Sequence, residues 1–146
     1  MSSYPSTTNH PTPLKVETML MPIKVLLVDD DESFRAVTAI ALECEGCEVQ
    51  EAASGYAALE VLQFAQPDVI VSDLDMPDLN GVELCRRVRA TPALAHVPFV
   101  LLSALIEPDG TGVPAVHEAD GCLSKQTHFS KLYHYIASLT LHETLQ

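Results

Sequence analysis

The chain has 146 residues, enough for about one domain with a single substantial core. Twenty acidic residues against eight basic ones give a formal charge of -12, which argues against bulk attraction to nucleic acid or an anionic membrane and favours cations or basic protein surfaces as partners. No run approaches the roughly 18 consecutive apolar residues of a membrane helix.

Residues 1–21 are rich in Ser, Thr and Pro and lack the basic start and apolar centre of a secretory signal, so they read as a disordered tail ahead of a domain over 22–146. Met19 and Met21 stand just before that domain and offer later starts. "IKVLLVD" (23–29) is the first predicted strand, followed by helical spacing over 32–45. "CEVQEA" (47–52) and "DVIVSD" (68–73) are the next strands, with helical stretches over 55–65 and 81–90 after them. "FVLLSA" (99–104) and "GCLSK" (121–125) complete the strands, and a last helix covers 127–141. Gly46 suits a left-handed helix end, while Ser54, Asn80 and Thr127 are placed to cap the helices that follow them.

This is a βα unit repeated five times. Three of the strands are apolar on both faces, as parallel strands covered by helices on both sides must be. Right-handed crossovers then predict an α/β fold, a flavodoxin-like doubly wound five-stranded parallel sheet of order 2-1-3-4-5. The cysteines lie at 44, 47, 85 and 122; "CEGC" (44–47) has redox-like spacing but no second pair and no His partner. They read as small apolar fillers in a reduced, cytoplasmic chain.

The polar residues carry the chemistry. In "VLLVDDDESFR" (25–35) a buried strand ends in three adjacent aspartates, which raise one another's pKa unless something positive sits among them. Ligands of open parallel sheets bind beyond the carboxyl ends of the strands, where strand order reverses. Asp29, Asp30 and Asp31 follow the first strand, Asp73 ends the third, Ser103 lies near the end of the fourth and Lys125 ends the fifth. Clustered carboxylates call for a hard, oxygen-loving cation, Mg²⁺ before any soft metal. A carboxylate beside Mg²⁺, a hydroxyl and an ammonium suit phosphoryl transfer to Asp73, giving an aspartyl phosphate.

With those motifs in place, the chain resembles the receiver domain of two-component response regulators over residues 23–142. The matching pieces are "VDDDESFR" (28–35), "DVIVSDLDMPDLNGVEL" (68–84), "SA" (103–104) and "GCLSK" (121–125), in family order. The resemblance implies that Asp30 is a direct Mg²⁺ ligand, that Asp29 acts largely through water, and that Asp73 is the phosphoacceptor. It implies further that the backbone carbonyl of Asp75 completes the protein ligands, that Ser103 is the switch hydroxyl, and that Lys125 contacts the phosphoryl group. Asp31 is left as a solvated loop residue. The donor would be a phosphohistidine on a sensor histidine kinase or a phosphotransfer protein. A stand-alone receiver is expected, not itself an enzyme, signalling to an unknown downstream protein through its surface, with no nucleic acid or membrane partner.

Three departures mark the output side. The family's aromatic on the fifth strand is Cys122 here, and the proline after the lysine is Gln126, so a trans Lys125–Gln126 bond is expected. Pro108, Gly110, Gly112 and Pro114 leave only a short helical remnant between the fourth and fifth strands. Phosphorylation is therefore expected to order the loop from Leu105 to Pro114. Phe129, Leu132, Tyr133 and Ile136 share a helical face that reads first as core and second as a possible homodimer surface. Arg86, Arg87 and Arg89 read as a solvated face before a docking patch.

Two further functions compete. One is a receiver-fold binding module without phosphorylation, favoured by Cys122, Gln126 and the broken fourth helix and opposed by the retained Asp29, Asp30, Asp73, Ser103 and Lys125. The other is a Mg²⁺-dependent aspartyl-phosphate phosphatase using Asp73-Leu74-Asp75, opposed by that motif following the third strand rather than the first. An EF-hand in "DLDMPDLNG" is excluded by Pro77 and Asp78 at its fifth and sixth positions.

Overall fold

The computed structural model describes residues 21–107, 109–112, 116 and 118–145. The expected tail, apart from Met21, lies outside them. Five strands, β1 (Lys24–Val28), β2 (Glu48–Ala52), β3 (Val69–Asp73), β4 (Phe99–Ser103) and β5 (Gly121–Ser124), form one parallel sheet of order β2-β1-β3-β4-β5. The expected doubly wound α/β fold is present.

Alternation along the strands divides the core. Leu26, Val28, Ile70, Phe99 and Leu101 pack with Ala58 and Leu62 of α2 (Gly55–Leu62) and with Leu84 and Val88 of α3 (Gly81–Ala90). Val25, Leu27, Val69, Val71, Val100 and Leu102 face Leu42 of α1 (Glu32–Cys44) and Leu132 and Ile136 of α4 (Phe129–Leu145). Each fully buried Leu or Ile side chain contributes about 1.5–3 kcal/mol of transfer free energy, so successive strand residues commit the sheet to helices on both faces. Leu132 and Ile136 are 2% and 0% exposed, so that part of the α4 face is core, while Phe129 and Tyr133 are half-buried.

The helix ends show the local chemistry. Glu45 closes α1 and Gly46 follows at φ +99°, as its placement predicted. Ser54 accepts the Ala57 N–H at 3.0 Å and Asn80 the Glu83 N–H at 2.9 Å, so both cap as expected. Thr127 does not. Its N–H is spent on the Ser124 carbonyl, and α4 starts two residues later with His128 Nδ1 accepting the Ser130 N–H at 3.2 Å. Asp31, expected as a free loop residue, caps α1 by accepting the Phe34 N–H at 3.1 Å.

Among the described residues four helices occur, and the β4–β5 connection holds turns rather than the short helical remnant expected. Gly110 and Gly112 take φ +92° and +91°, outside any helix. Glu107 N–H donates to the Thr111 carbonyl, and Asp109 Oδ1 accepts from both Thr111 N–H and its hydroxyl. Pro108 and residues 113–115 lie outside the described residues. No described helix is long and apolar enough to cross a membrane.

Candidate functional site

Asp29 follows β1 and Asp73 ends β3, and these neighbouring strands bring both carboxylates to one sheet edge. Asp29 and Asp73 are 1% and 6% exposed, whereas Asp30 is exposed. Each of the three places one carboxylate oxygen within 4.8 Å of the others, close enough to share one cation. Lys125, one residue beyond β5, brings its Nζ to 2.9 Å from Asp29 Oδ2 and 3.5 Å from Asp73 Oδ1. Ser103 ends β4 beside them and is fully buried, its Oγ accepting the Leu105 N–H at 3.0 Å. Asp75 is exposed and donates its N–H to Asp73 Oδ1 at 3.3 Å. Asp29, Asp30, Asp73 and Lys125 thus meet as expected.

The electrostatics follow from that crowding. Burial, then the charge of Asp29, pushes the Asp73 carboxyl up to about 6, although Lys125 pulls it the other way. Burial works against the charge on Lys125, but the hydrogen bond and charge of Asp29, followed by Asp73, outweigh it and hold the ammonium above its ordinary value. Asp29 has little freedom, since its second oxygen accepts the Asp31 N–H at 2.9 Å.

Supporting residues escaped the sequence reading. Arg35 Nη1 donates to the Asp29 carbonyl at 2.7 Å while its Nε pairs with Glu51 at 2.9 Å, pinning the acidic turn between α1 and β2. Its place in "VDDDESFR" was visible, but its target is a backbone atom fixed only by the fold. Gly81 packs so closely beneath Asp73 that a Cβ would overlap the Asp73 carbonyl oxygen and the Leu101 side chain. The sequence signal for it was a glycine directly after the capping Asn80.

The remaining candidates separate from this site. Arg89 clamps the opposite end of the sheet, donating to the Glu118, Ala95 and Val97 carbonyls and pairing with Asp120 at 2.9 Å. Arg86 pairs with Glu118 at 3.6 Å and Arg87 with Glu83 at 3.7 Å on an exposed face, as their solvated reading expected, so of the three only Arg89 is committed to the backbone among the described residues. All four cysteines are free thiols, and burial pushes Cys47 and Cys85 up to about 11. Cys47 fills core as expected; Cys44 is exposed and fills nothing. The Lys125–Gln126 bond is trans, and the Gln126 N–H, which a proline would lack, donates to Ser124 Oγ at 3.0 Å.

Comparison with known proteins agrees with this geometry. A family model described as the response regulator receiver domain matches residues 25–137. A transcriptional regulatory protein of Streptomyces coelicolor is 40% identical over 80 residues, 55% of this chain but 34% of that protein. This chain therefore spans only about a third of that relative. Among solved structures, a chemotaxis response regulator of Vibrio cholerae is 33% identical with a TM-score of 0.71, covering 82% of this chain and 99% of that one. A Thermotoga maritima response regulator, solved in complex with Mg²⁺ and BeF, is 25% identical with a TM-score of 0.69, covering 80% of this chain and 98% of that one. Family match, sheet order and acidic cluster coincide, and the chain belongs to the response regulator receiver domain family.

Proposed function

We propose that Asp73 accepts a phosphoryl group from a phosphohistidine on a sensor histidine kinase or phosphotransfer protein, as one step of a cytoplasmic two-component phosphorelay. The observation that carries this reading is the convergence of Asp29, Asp30, Asp73 and the Lys125 ammonium at one sheet edge. Transfer forms a bond between a carboxylate oxygen of Asp73 and phosphorus and breaks the donor's P–N bond, whose electron pair returns to the imidazole nitrogen. The chain is thus a phosphoacceptor that assists its own reaction, not an enzyme with a separate substrate.

Three acidic oxygens within 4.8 Å of one another fit a hard divalent cation. Asp30, Asp73 and the Asp75 carbonyl would hold Mg²⁺ directly. Asp29 suits an outer position, acting through water, because its two oxygens already serve Lys125 and the Asp31 N–H. Bound there, Mg²⁺ would supply the positive charge that lets a dianionic donor approach clustered carboxylates. Lys125 offsets charge on the arriving phosphoryl oxygens. The Ser103 hydroxyl accepts from Leu105 and keeps its own proton to donate.

That same Ser103–Leu105 hydrogen bond supports an output through the β4–β5 connection. A phosphoryl oxygen drawing on Ser103 would reorient the turn beginning at Leu105, where a downstream protein could read it. Phosphotransfer from a panel of phosphorylated histidine kinases tests the donor class. The proposal requires label on the wild-type chain from at least one kinase, loss of label with chelator, and none on Asp73→Asn. Equal labelling of wild type and Asp73→Asn would overturn it.

A further inference from the structure

Lys125 has a third neighbour besides its two carboxylates. The ring of Phe34, on the first turn of α1, has its centroid 4.6 Å from Lys125 Nζ, within the range of a cation–π contact. Phe34 is itself held on both sides: its N–H is fixed by the Asp31 cap, and its ring is partly buried against the core that includes Leu27 and Leu132. The lysine backbone is fixed as well, with its N–H on the Ser103 carbonyl at 2.9 Å and the next N–H on Ser124 Oγ. Only the four-carbon stem between these anchors is free to wander. The Lys125 side chain is nevertheless only 15% exposed.

We infer that Phe34 is a positioning residue for Lys125. Its ring face holds the ammonium at the site while the carboxylates change partners. The inference rests on the phosphoacceptor reading, and its logic is electrostatic. Asp29 is the stronger ionic partner of Lys125 at 2.9 Å, and Asp73 must release its share of the ammonium to bond phosphorus. An aromatic face attracts a cation but forms no hydrogen bond that must be broken when Lys125 turns toward a phosphoryl oxygen. A carboxylate in the same place would trap the lysine; an aliphatic side chain would shield it without attracting it. Desolvation at this partly buried position strengthens the contact.

The test separates attraction from bulk. Phe34 is replaced site-specifically by phenylalanines of increasing ring fluorination, which keep nearly the same shape while cancelling the negative ring face, and by Leu and Trp. In the metal-free protein the Lys125 ε-methylene protons should resonate upfield through the ring current and lose that shift in Phe34→Leu; an ordinary shift in wild type would overturn the contact itself. With Mg²⁺ and beryllofluoride, affinity should fall stepwise along the fluorinated series, by about three- to tenfold at full fluorination, and be kept in Phe34→Trp. Tight wild-type binding with no dependence on fluorination would leave Phe34 a packing residue and refute the inference. Failure of wild type itself to bind beryllofluoride would instead refute the phosphoacceptor reading, and the positioning role with it.

Discussion

Lys125 stands closer to Asp29 than to Asp73, with its ammonium at 2.9 Å from the first and 3.5 Å from the second. Asp73, the proposed phosphoacceptor, therefore receives the smaller share of this ammonium. Its carboxyl is pushed up to about 6 by burial first and by Asp29 next.

That imbalance predicts a pH dependence of the metal-free protein. The Asp73 carboxyl binds its proton more tightly folded, at about 6, than unfolded, at 3.8. The stabilisation is fully present below the unfolded value and is lost as pH rises through the folded one, because between them the native state holds more protons. Denaturation in chelator should show stability falling by about 1–3 kcal/mol from this group as pH rises from about 4 to about 6. Asp73→Asn should flatten that segment of the curve. Mg²⁺ should restore stability above it, and an equally steep decline in Asp73→Asn would assign the proton elsewhere.

Neighbouring aspartates should respond in opposite directions. Asp31 caps α1, so Asp31→Ala should cost about 0.5–2 kcal/mol, with Asp31→Ser retaining most of it. Asp30 is exposed among like charges and should, as Asp30→Asn, leave metal-free stability unchanged or raised while weakening Mg²⁺ binding at least tenfold. Urea titration and Mg²⁺ titration of the two variants distinguish them. Equal stability losses would remove the distinction drawn between cap and ligand.

Gly81→Ala should disturb the site from beneath. The added Cβ meets the Leu101 side chain and the Asp73 backbone, and the backbone cannot step aside without shifting β3 against α3. A cost of about 1–3 kcal/mol is expected from such overpacking, together with weaker phosphorylation. Unchanged stability by urea unfolding would mean that α3 sits further from β3 than the structure has it.

Thr38 offers a change in the other direction. Its hydroxyl is fully buried in α1 and, among the described residues, has no hydrogen-bond partner. Thr38→Val keeps the shape and removes the unmet polar group, so a gain of about 1 kcal/mol in urea unfolding is expected. A loss would reveal a partner for the hydroxyl.

The sheet and the acidic cluster were legible because both are written in local pattern. The apolar run 25–28 leads directly into Asp29 and the run 69–71 reaches Asp73 across Ser72, and strand order alone brings Asp29 and Asp73 together. Roles that depend on a backbone partner were not. Asp31 was set apart from Asp30 only by the family motif and left as a solvated loop residue, yet its side chain caps α1. Arg89 read as part of a solvated face and Arg35 was given no role, but both donate to backbone carbonyls placed only by the fold. The β4–β5 connection was half legible: its prolines and glycines argued against an ordinary helix, while the Asp109–Thr111 turn came from side-chain bonds that no periodicity records.

Asp73 should become the phosphorylated residue in a Mg²⁺-dependent reaction. Intact-mass measurement of the full chain with a small phosphodonor, with and without chelator and alongside Asp73→Asn and Lys125→Ala, tests it most directly. One added phosphoryl group is expected on the wild-type chain with Mg²⁺, none with chelator, none on Asp73→Asn, and a marked reduction on Lys125→Ala. A phosphoryl group appearing undiminished on Asp73→Asn, or on the wild-type chain in chelator, would contradict it.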